Sequence, residues 1–290
     1  MNYPKISIVT PSFNQGSFLE ETIDSVLGQG YPNLEYVIID GGSTDNSVEV
    51  IRKYEKHLKF WVSEKDKGMY DAIQKGFDKT SGEIMGWINS DDRYHPKSFF
   101  VLAEVFSSFP EVEWLQGNPT SIDETGRIIS IQTSRKWSKY NFFLGDYKYI
   151  QQESTFWRRS LWEKAGSMIR TDMRYAGDFE LWLRFFEHAR LYCLQTAIGA
   201  FRMRSSNQFS LDMIDKYNEE VEAEISKRLQ RLTKEEQKDL ATIKKYKGTY
   251  SKLPVLKYRK YTAYLDIFNY PPPIIFDRKK QAFYLYKKEK

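Results

Sequence analysis

Tyr36-Val-Ile-Ile-Asp-Gly-Gly-Ser-Thr-Asp45 sets four uncharged, strand-forming side chains ahead of an acidic residue and a glycine pair. A run that is apolar throughout reads as a strand covered on both faces, because a strand with one wet face alternates instead. Ser43-Thr-Asp45 then offers the side-chain oxygens that open a helix. Working outward, the same unit recurs. Runs at about 5–10, 34–40, 59–63 and 83–88 read as strands, and 18–28, 44–56, 69–80 and 96–108 read as helices, with Gly82 expected to stop the third. Strands alternating with helices in this way predict βαβ units and a mostly parallel sheet, an α/β fold.

Beyond Pro110 the rhythm changes. A strand is expected at 112–117, a turn at Asp123-Glu-Thr-Gly126, and a hairpin arm over the alternating run Arg127 to Thr133. A helix at 178–188 and a buried strand at 191–203 follow. Apolar side chains at 214, 217, 221, 225, 229 and 232 recur every three or four residues and predict one amphipathic helix over 212–232. Pro271-Pro-Pro273 forbids helix in the tail.

A chain of 290 residues with 41% hydrophobic and 29% charged content has material for one large domain or two modest ones, which excludes disorder. The single Cys193 excludes an internal disulfide and a thiolate zinc cluster, so a reducing cytoplasm is expected. Nothing approaches the apolar length of a spanning helix, and a strand begins so soon after Met1 that no signal peptide is expected. The formal charge of +5 is unevenly placed. Residues 1–204 hold 25 basic against 27 acidic side chains, whereas from Lys244 onward the ratio is 13 to 3, interleaved with eight tyrosines that include Tyr258, Tyr261 and Tyr264. That composition suits an anionic membrane surface or nucleic acid, and the alternative is a tail packed on the rest of the chain with its lysines in water.

Ligands of a parallel sheet bind beyond the carboxyl ends of its strands. Three segments fall there: Thr10-Pro-Ser-Phe-Asn14, Asp40-Gly-Gly-Ser-Thr-Asp45 and Asn89-Ser-Asp-Asp92. No glycine-rich phosphate cradle follows the first strand, which removes the dinucleotide and P-loop readings. Asp91 and Asp92 offer adjacent hard oxygens suited to Mg2+ or Mn2+ bridging a diphosphate. The plainer alternative has Asp92 capping the helix entered near Pro96. Asp178, in Gly177-Asp-Phe-Glu-Leu-Trp182, is either an N-cap or a general base, with Glu180 as the rival carboxylate. His57, His95 and His188 lack ligand spacing and read as surface or packing residues. Trp157, Trp162 and Trp182 read as core, an aromatic platform for a sugar being the alternative.

With these residues in view the chain resembles the family 2 glycosyltransferases of the GT-A fold, bacterial surface-polysaccharide type. Ser7-Ile-Val-Thr-Pro-Ser-Phe-Asn14, Ile38-Ile-Asp-Gly-Gly-Ser-Thr-Asp-Asn-Ser47 and Gly82-Glu-Ile-Met-Gly-Trp-Ile-Asn-Ser-Asp-Asp92 follow the family's motifs in order and spacing. Ser63-Glu-Lys-Asp-Lys-Gly-Met-Tyr-Asp-Ala72 is similar to a bacterial branch, and the likeness continues through Gln151-Gln-Glu-Ser-Thr-Phe-Trp157 to Asp178.

The resemblance implies a Rossmann-like, mostly parallel central sheet flanked by helices. It implies a catalytic domain over 1–210, with a donor half to about 110 and an acceptor half over 111–210, and leaves 211–290 as a helical, basic extension. It further implies an inverting transfer of a sugar from a nucleoside diphosphate donor, UDP-sugar favoured, to a glycan or lipid-linked acceptor, with Mn2+ or Mg2+. Carried over by position, Thr10, Pro11 and Asp40 hold the base, Asn89 stands where the family often has the first Asp of D-x-D, Asp91 binds the metal and Asp178 is the base. Ser12, Lys67 and Ser90 join the candidate substrate contacts, and Arg204 is a candidate partner for phosphate in place of the family's late histidine. Peripheral attachment to the inner face of the membrane through 244–290 is expected, and nucleic acid is not an expected partner. A sugar-nucleotide-forming nucleotidyltransferase and a non-enzymatic adaptor are the alternative functions.

Overall fold

The computed structural model describes residues 3–147, 149–205, 208, 212–250 and 266–286. It opens with β1 (Ile6–Ser12), α1 (Gly16–Leu27), β2 (Leu34–Asp40), α2 (Ser47–Tyr54), β3 (Phe60–Ser63), α3 (Met69–Phe77) and β4 (Ile84–Trp87), the expected alternation. Next come β5 (Arg93–Tyr94), α4 (Ser98–Ser108), β6 (Trp114–Ile122), β7 (Ile128–Ile131), α5 (Lys139–Phe143), β8 (Thr155–Arg158), α6 (Arg159–Lys164), α7 (Gly177–His188) and β9 (Leu191–Arg202). Helices α8 (Ile214–Leu229) and α9 (Lys234–Tyr250) and the strands β10 (Ile274–Asp277) and β11 (Ala282–Leu285) complete the described chain. No described helix is long and apolar enough to cross a membrane.

The strands form one sheet in the order β11-β10-β9-β6-β8-β4-β1-β2-β3, with β5 on β9 and β7 on β6. β3, β2, β1 and β4 are parallel, and β8 runs antiparallel to both β4 and β6. Successive residues of the central strands feed opposite cores: Ile6, Ile8, Tyr36 and Ile38 on one face, Val9, Val37 and Ile39 on the other. That is why the run 36–39 has no polar member. Trp157, Trp162 and Trp182 lie in the second core, with Trp87 stacked on Trp182 at 5.7 Å between centroids, so these tryptophans pack the interior and form no open sugar platform.

Several boundaries differ from expectation for identifiable reasons. α2 begins at Ser47 rather than 44 because the residues before it tie two loops together: Asp45 accepts from the Gly16 and Ser47 amides, each at 2.9 Å, and Ser43 Oγ accepts from the Asn14 amide at 2.8 Å. α3 ends at Phe77, and Gly82 serves instead a close approach to β1, where a Cβ would lie 2.8 Å from the Ser7 nitrogen. β6 runs to Ile122, past the expected end at 117, where it receives β7. The three prolines end in a strand: Ile274 pairs with Leu194, so the segment after 211 contributes two helices and also an edge hairpin. Val221, Ile225, Leu240, Ile243 and Phe268 enter the same core as α7. Tyr258, Tyr261 and Tyr264 fall outside the described residues.

Candidate active site

β1 and β2 end side by side, Ser12 opposite Asp40. Asp40 is fully buried, and its carboxylate accepts from the Gly42 and Ser43 amides at 3.2 and 2.9 Å, from Ser43 Oγ at 2.5 Å and from Ser63 Oγ at 2.6 Å. Gly42 supplies the positive φ, +83°, that this turn around the carboxylate needs. Thr10 is likewise enclosed, its hydroxyl 3.0 Å from that of Tyr36, and Pro11 pairs within the sheet beside Ile39. Ser12 Oγ is buried without a hydrogen-bond partner among the described residues. Lys67 stands exposed before α3, its amide on Asp71 at 3.1 Å.

Beyond β4, Asp92 turns inward. One of its oxygens accepts from the Arg202 amide at 2.8 Å and the other from Asn89 Nδ2 at 3.3 Å. It therefore binds β9 to this loop and caps nothing: α4 has Lys97 at its N-cap, with no side-chain cap. Burial, then the charges of Asp91 and Glu153, push the Asp92 carboxyl well above the usual range. Asp91 faces Arg204, Nη2 to Oδ2 3.2 Å, and burial raises its carboxyl while Arg204 and Arg202 pull it back. The fully buried Arg202 frames the loop, giving Nε to the Asp91 carbonyl at 2.6 Å, Nη1 to the carbonyls of Asp123 and Glu124 at 3.1 and 2.9 Å, and Nη2 to Glu21. Arg204 also reaches Gln15 Oε1 at 3.3 Å, joining the β1 loop to Asp91, and its own Nε is buried without a partner among the described residues. Ser90 is buried in the same loop.

Asp178 is the second residue of α7, whose N-cap is Ala176, so it is not the cap. The Tyr70 hydroxyl donates to the Tyr175 carbonyl at 2.9 Å and lies 3.2 Å from Asp178 Oδ1. Burial pushes the Asp178 carboxyl up to about 6; hydrogen bonds from the Phe179 amide and Tyr70 restrain the rise, and the charge of Glu220 adds to it. Glu180 is turned away, held by Arg184 Nε at 2.9 and 3.1 Å. Of the two rivals in the sequence, Glu180 is paired with Arg184, and Asp178 has no ion pair among the described residues.

Glu153, to which the sequence pattern assigns no role, lies within electrostatic reach of both catalytic candidates. It is buried in the short 3-10 turn Gln152–Ser154, Oε1 has no hydrogen-bond partner among the described residues, and burial together with the charges of Asp91 and Asp178 pushes its carboxyl up to about 8. Both charges act on this one buried carboxyl although Asp91 and Asp178 stand 87 positions apart in the chain. An acid two positions ahead of the buried Thr155-Phe-Trp157 was the available signal, since a charged residue carried into the interior must be paired or functional.

Among the described residues no group of three His, Cys, Asp or Glu side chains is placed to hold a metal ion. The donor set at Asp91 is one hard carboxylate with the unpartnered acceptor Asn89 Oδ1 in the same loop. That fits a hard divalent cation of the Mg2+ type, which binds through one or two carboxylates and takes its remaining oxygens from phosphate and water. His57 and His188 are exposed, and burial pushes the half-buried His95 down.

A profile of glycosyl transferase family 2 matches residues 7–162. A Mycobacterium tuberculosis protein described as an uncharacterized glycosyltransferase is 31% identical over 185 residues, 62% of this chain and 68% of its own. A Rickettsia typhi protein with the same description is 22% identical over 240 residues, 80% of this chain and 74% of its own. Residues 1–349 of Staphylococcus aureus TarS, solved with UDP-GlcNAc, share the fold at a TM-score of 0.65 and 16% identity, over 91% of this chain and 80% of that one. The longer TarS structure gives 0.63 at 17% identity over 91% of this chain, which spans 48% of it. The mannosyltransferase PcManGT of Pyrobaculum calidifontis, solved with GDP-Man and Mn2+, gives 0.53 at 17% identity over 72% of this chain and 59% of that one.

Proposed function

Because the chain belongs to glycosyl transferase family 2, we propose that it transfers a sugar with inversion from a UDP-sugar to a hydroxyl of a glycan or lipid-linked acceptor in surface-polysaccharide synthesis. Membership in that family replaces the nucleotidyltransferase and adaptor alternatives. The mechanism is supported by Asp178, a buried carboxylate beside the Tyr70 hydroxyl at 3.2 Å, and by Asp91, paired with Arg204 at 3.2 Å, whose charges both raise the carboxyl of Glu153. Uracil is preferred as the donor base because the TarS fold neighbour was solved with UDP-GlcNAc.

In this reading Asp178, ionised above about pH 6, takes the proton of the acceptor hydroxyl as that oxygen bonds to the anomeric carbon. The bond to the diphosphate breaks on the opposite face, and its electron pair leaves with the nucleotide. Arg204 faces the leaving charge as a fixed cation, and Ser12, Asn89 and Ser90 line the donor side. Thr10, Pro11 and Asp40, enclosed as they are, act by shaping the loops against which the base rests; Lys67 reaches the donor from its exposed loop. Asp91 would hold Mg2+ or Mn2+, which when bound neutralises diphosphate charge. Nucleotide release from a panel of UDP- and GDP-sugars is the test. Asp91→Asn should lower cation-dependent release by on the order of a hundredfold, and full activity in excess chelator would remove the cation from the mechanism.

Residues 1–210 form the catalytic domain in this proposal, and 211–290 the extension that brings it to the inner face of the membrane. The edge hairpin supports that docking: Phe276, Tyr284 and Tyr286 are exposed beside Arg278, Lys279 and Lys280 of its turn. Basic residues at an anionic leaflet contribute about 1 kcal/mol each. Co-sedimentation with anionic vesicles should weaken as salt rises, and no binding even at low salt would end the membrane reading.

A further inference from the structure

Asp178 stands in the first turn of a helix whose lead-in segment is held from elsewhere in the chain. The first amides of a helix lack intrahelical partners, and while Asp178 accepts from its own amide and that of Phe179, the N-cap Ala176 has no side chain to contribute. Just ahead of α7 the amides of Arg174, Tyr175 and Ala176 all point to one carboxylate, Glu220 of α8, at 3.0, 3.0 and 2.8 Å. The carbonyl of the middle residue, Tyr175, accepts from Tyr70, and the same Tyr70 hydroxyl lies against Asp178. Gly177 completes the fit, since a Cβ there would lie 2.9 Å from the Tyr70 ring. One turn before Glu220, burial and then the charge of Asp178 suppress ionisation of Tyr217, whose ring meets Tyr149 edge-on at 5.5 Å.

We propose that Glu220 is a positioning residue for the catalytic base: its carboxylate clamps the segment 174–176, fixes the first turn of α7 and so aims Asp178, which makes the extension a working part of the active site. The proposal rests on Asp178 being the base. The groups facing that carboxyl are Tyr70 of α3, Glu153 of the 3-10 turn, and Tyr217 and Glu220 of α8, while Glu180 on its own helix is engaged by Arg184. Of these neighbours Glu220 opposes Asp178 ionisation through its negative charge. The clamp therefore has two separable effects, one on backbone order and one on proton affinity.

Amide hydrogen exchange and a carbon-13 NMR titration of Asp178 read both effects in the ligand-free full chain. In Glu220→Ala the amides of 174–176 should exchange about tenfold faster, the size of a lost helix cap, while Val9 and Ile38 in the central strands stay protected. Glu220→Gln retains an acceptor oxygen without the charge, so protection should largely persist while Asp178 titrates at lower pH. With UDP-GlcNAc as probe donor, the acid limb of nucleotide release should follow the titration, and turnover should fall more than donor KM rises. An unchanged Asp178 titration in both variants would make Glu220 a structural cap only and overturn the proposal; if Glu220→Ala does not fold, the Gln variant decides alone. Asp178→Asn separates this from the base assignment: normal turnover there refutes the base, whereas an inactive Asp178→Asn beside unaltered Glu220 variants refutes only the clamp.

Discussion

Two carboxylates at the carboxyl edge of the fold are held in opposite ways. Asp40, in the parallel half, receives four hydrogen bonds from Gly42, Ser43 and Ser63, all within 23 positions of it, and no shared strand or helix beyond β2 and β3 is needed to satisfy it. Asp178, across the sheet, accepts from the amides of its own helix turn but also meets Tyr70, from 108 positions earlier, in a segment clamped by Glu220 of α8, and burial leaves its carboxyl raised to about 6. A locally satisfied acid is a building element, with its charge spent on donors. An acid enclosed by distant partners keeps a proton affinity near neutrality, which is what a base acting on a hydroxyl requires.

Arg202 joins the two regions, and its removal should have the largest effect. Arg202→Met leaves Glu21 with Arg93 as its arginine partner but frees the buried carbonyls of Asp91, Asp123 and Glu124, so urea unfolding should show a loss of about 3–5 kcal/mol. A loss below about 1 kcal/mol would mean that the halves hold together without it. Asp178→Asn comes next: turnover should fall on the order of a hundredfold with the fold intact. In the parent protein turnover should decline as pH falls through about 6, because the base is then protonated. The stability sign is the reverse. Since burial raises this acid, ionising it costs the fold free energy as pH rises from the unfolded value toward 6, so Asp178→Asn should be at least as stable as the parent near neutrality, an advantage that disappears in acid.

The smallest effect should be at Asp40. Asn there would turn an amide NH2 toward a set of donors, costing about 1–3 kcal/mol in urea unfolding, with turnover per folded molecule altered far less than in Asp178→Asn. If Asp40→Asn instead unfolds the protein no more readily than the parent but abolishes donor binding, Asp40 belongs with the reactive acids and the contrast between the halves fails.

The alternation of strand and helix through β4 was legible because it depends on spacing: a buried parallel strand needs a short apolar run, and an amphipathic helix needs a period near 3.6. The loops holding Asp40, Asp91 and Asp178 were legible for the same reason, since each lies at the end of such an element. Helix starts were less so. Ser43-Thr-Asp45 has capping chemistry, yet its oxygens serve amides of the neighbouring loop as well as Ser47, a choice made only when β1 and β2 lie side by side.

Local spacing could not assign Glu153, Arg202 or Glu220, because each is defined by what reaches it across 25 to 181 positions of chain. Composition showed that the tail is basic and aromatic, and the prolines ruled out helix there; the edge hairpin on β9 and the clamp from α8 exist only in the folded chain. The sequence by itself determined which segments become strands and helices and at which ends the acids stand, because backbone period and side-chain polarity act within a few residues. Tertiary structure alone decided which acid is saturated, which is left to carry a proton and which helix holds it in place, because desolvation and charge act between groups that the chain brings together only when the sheet is complete.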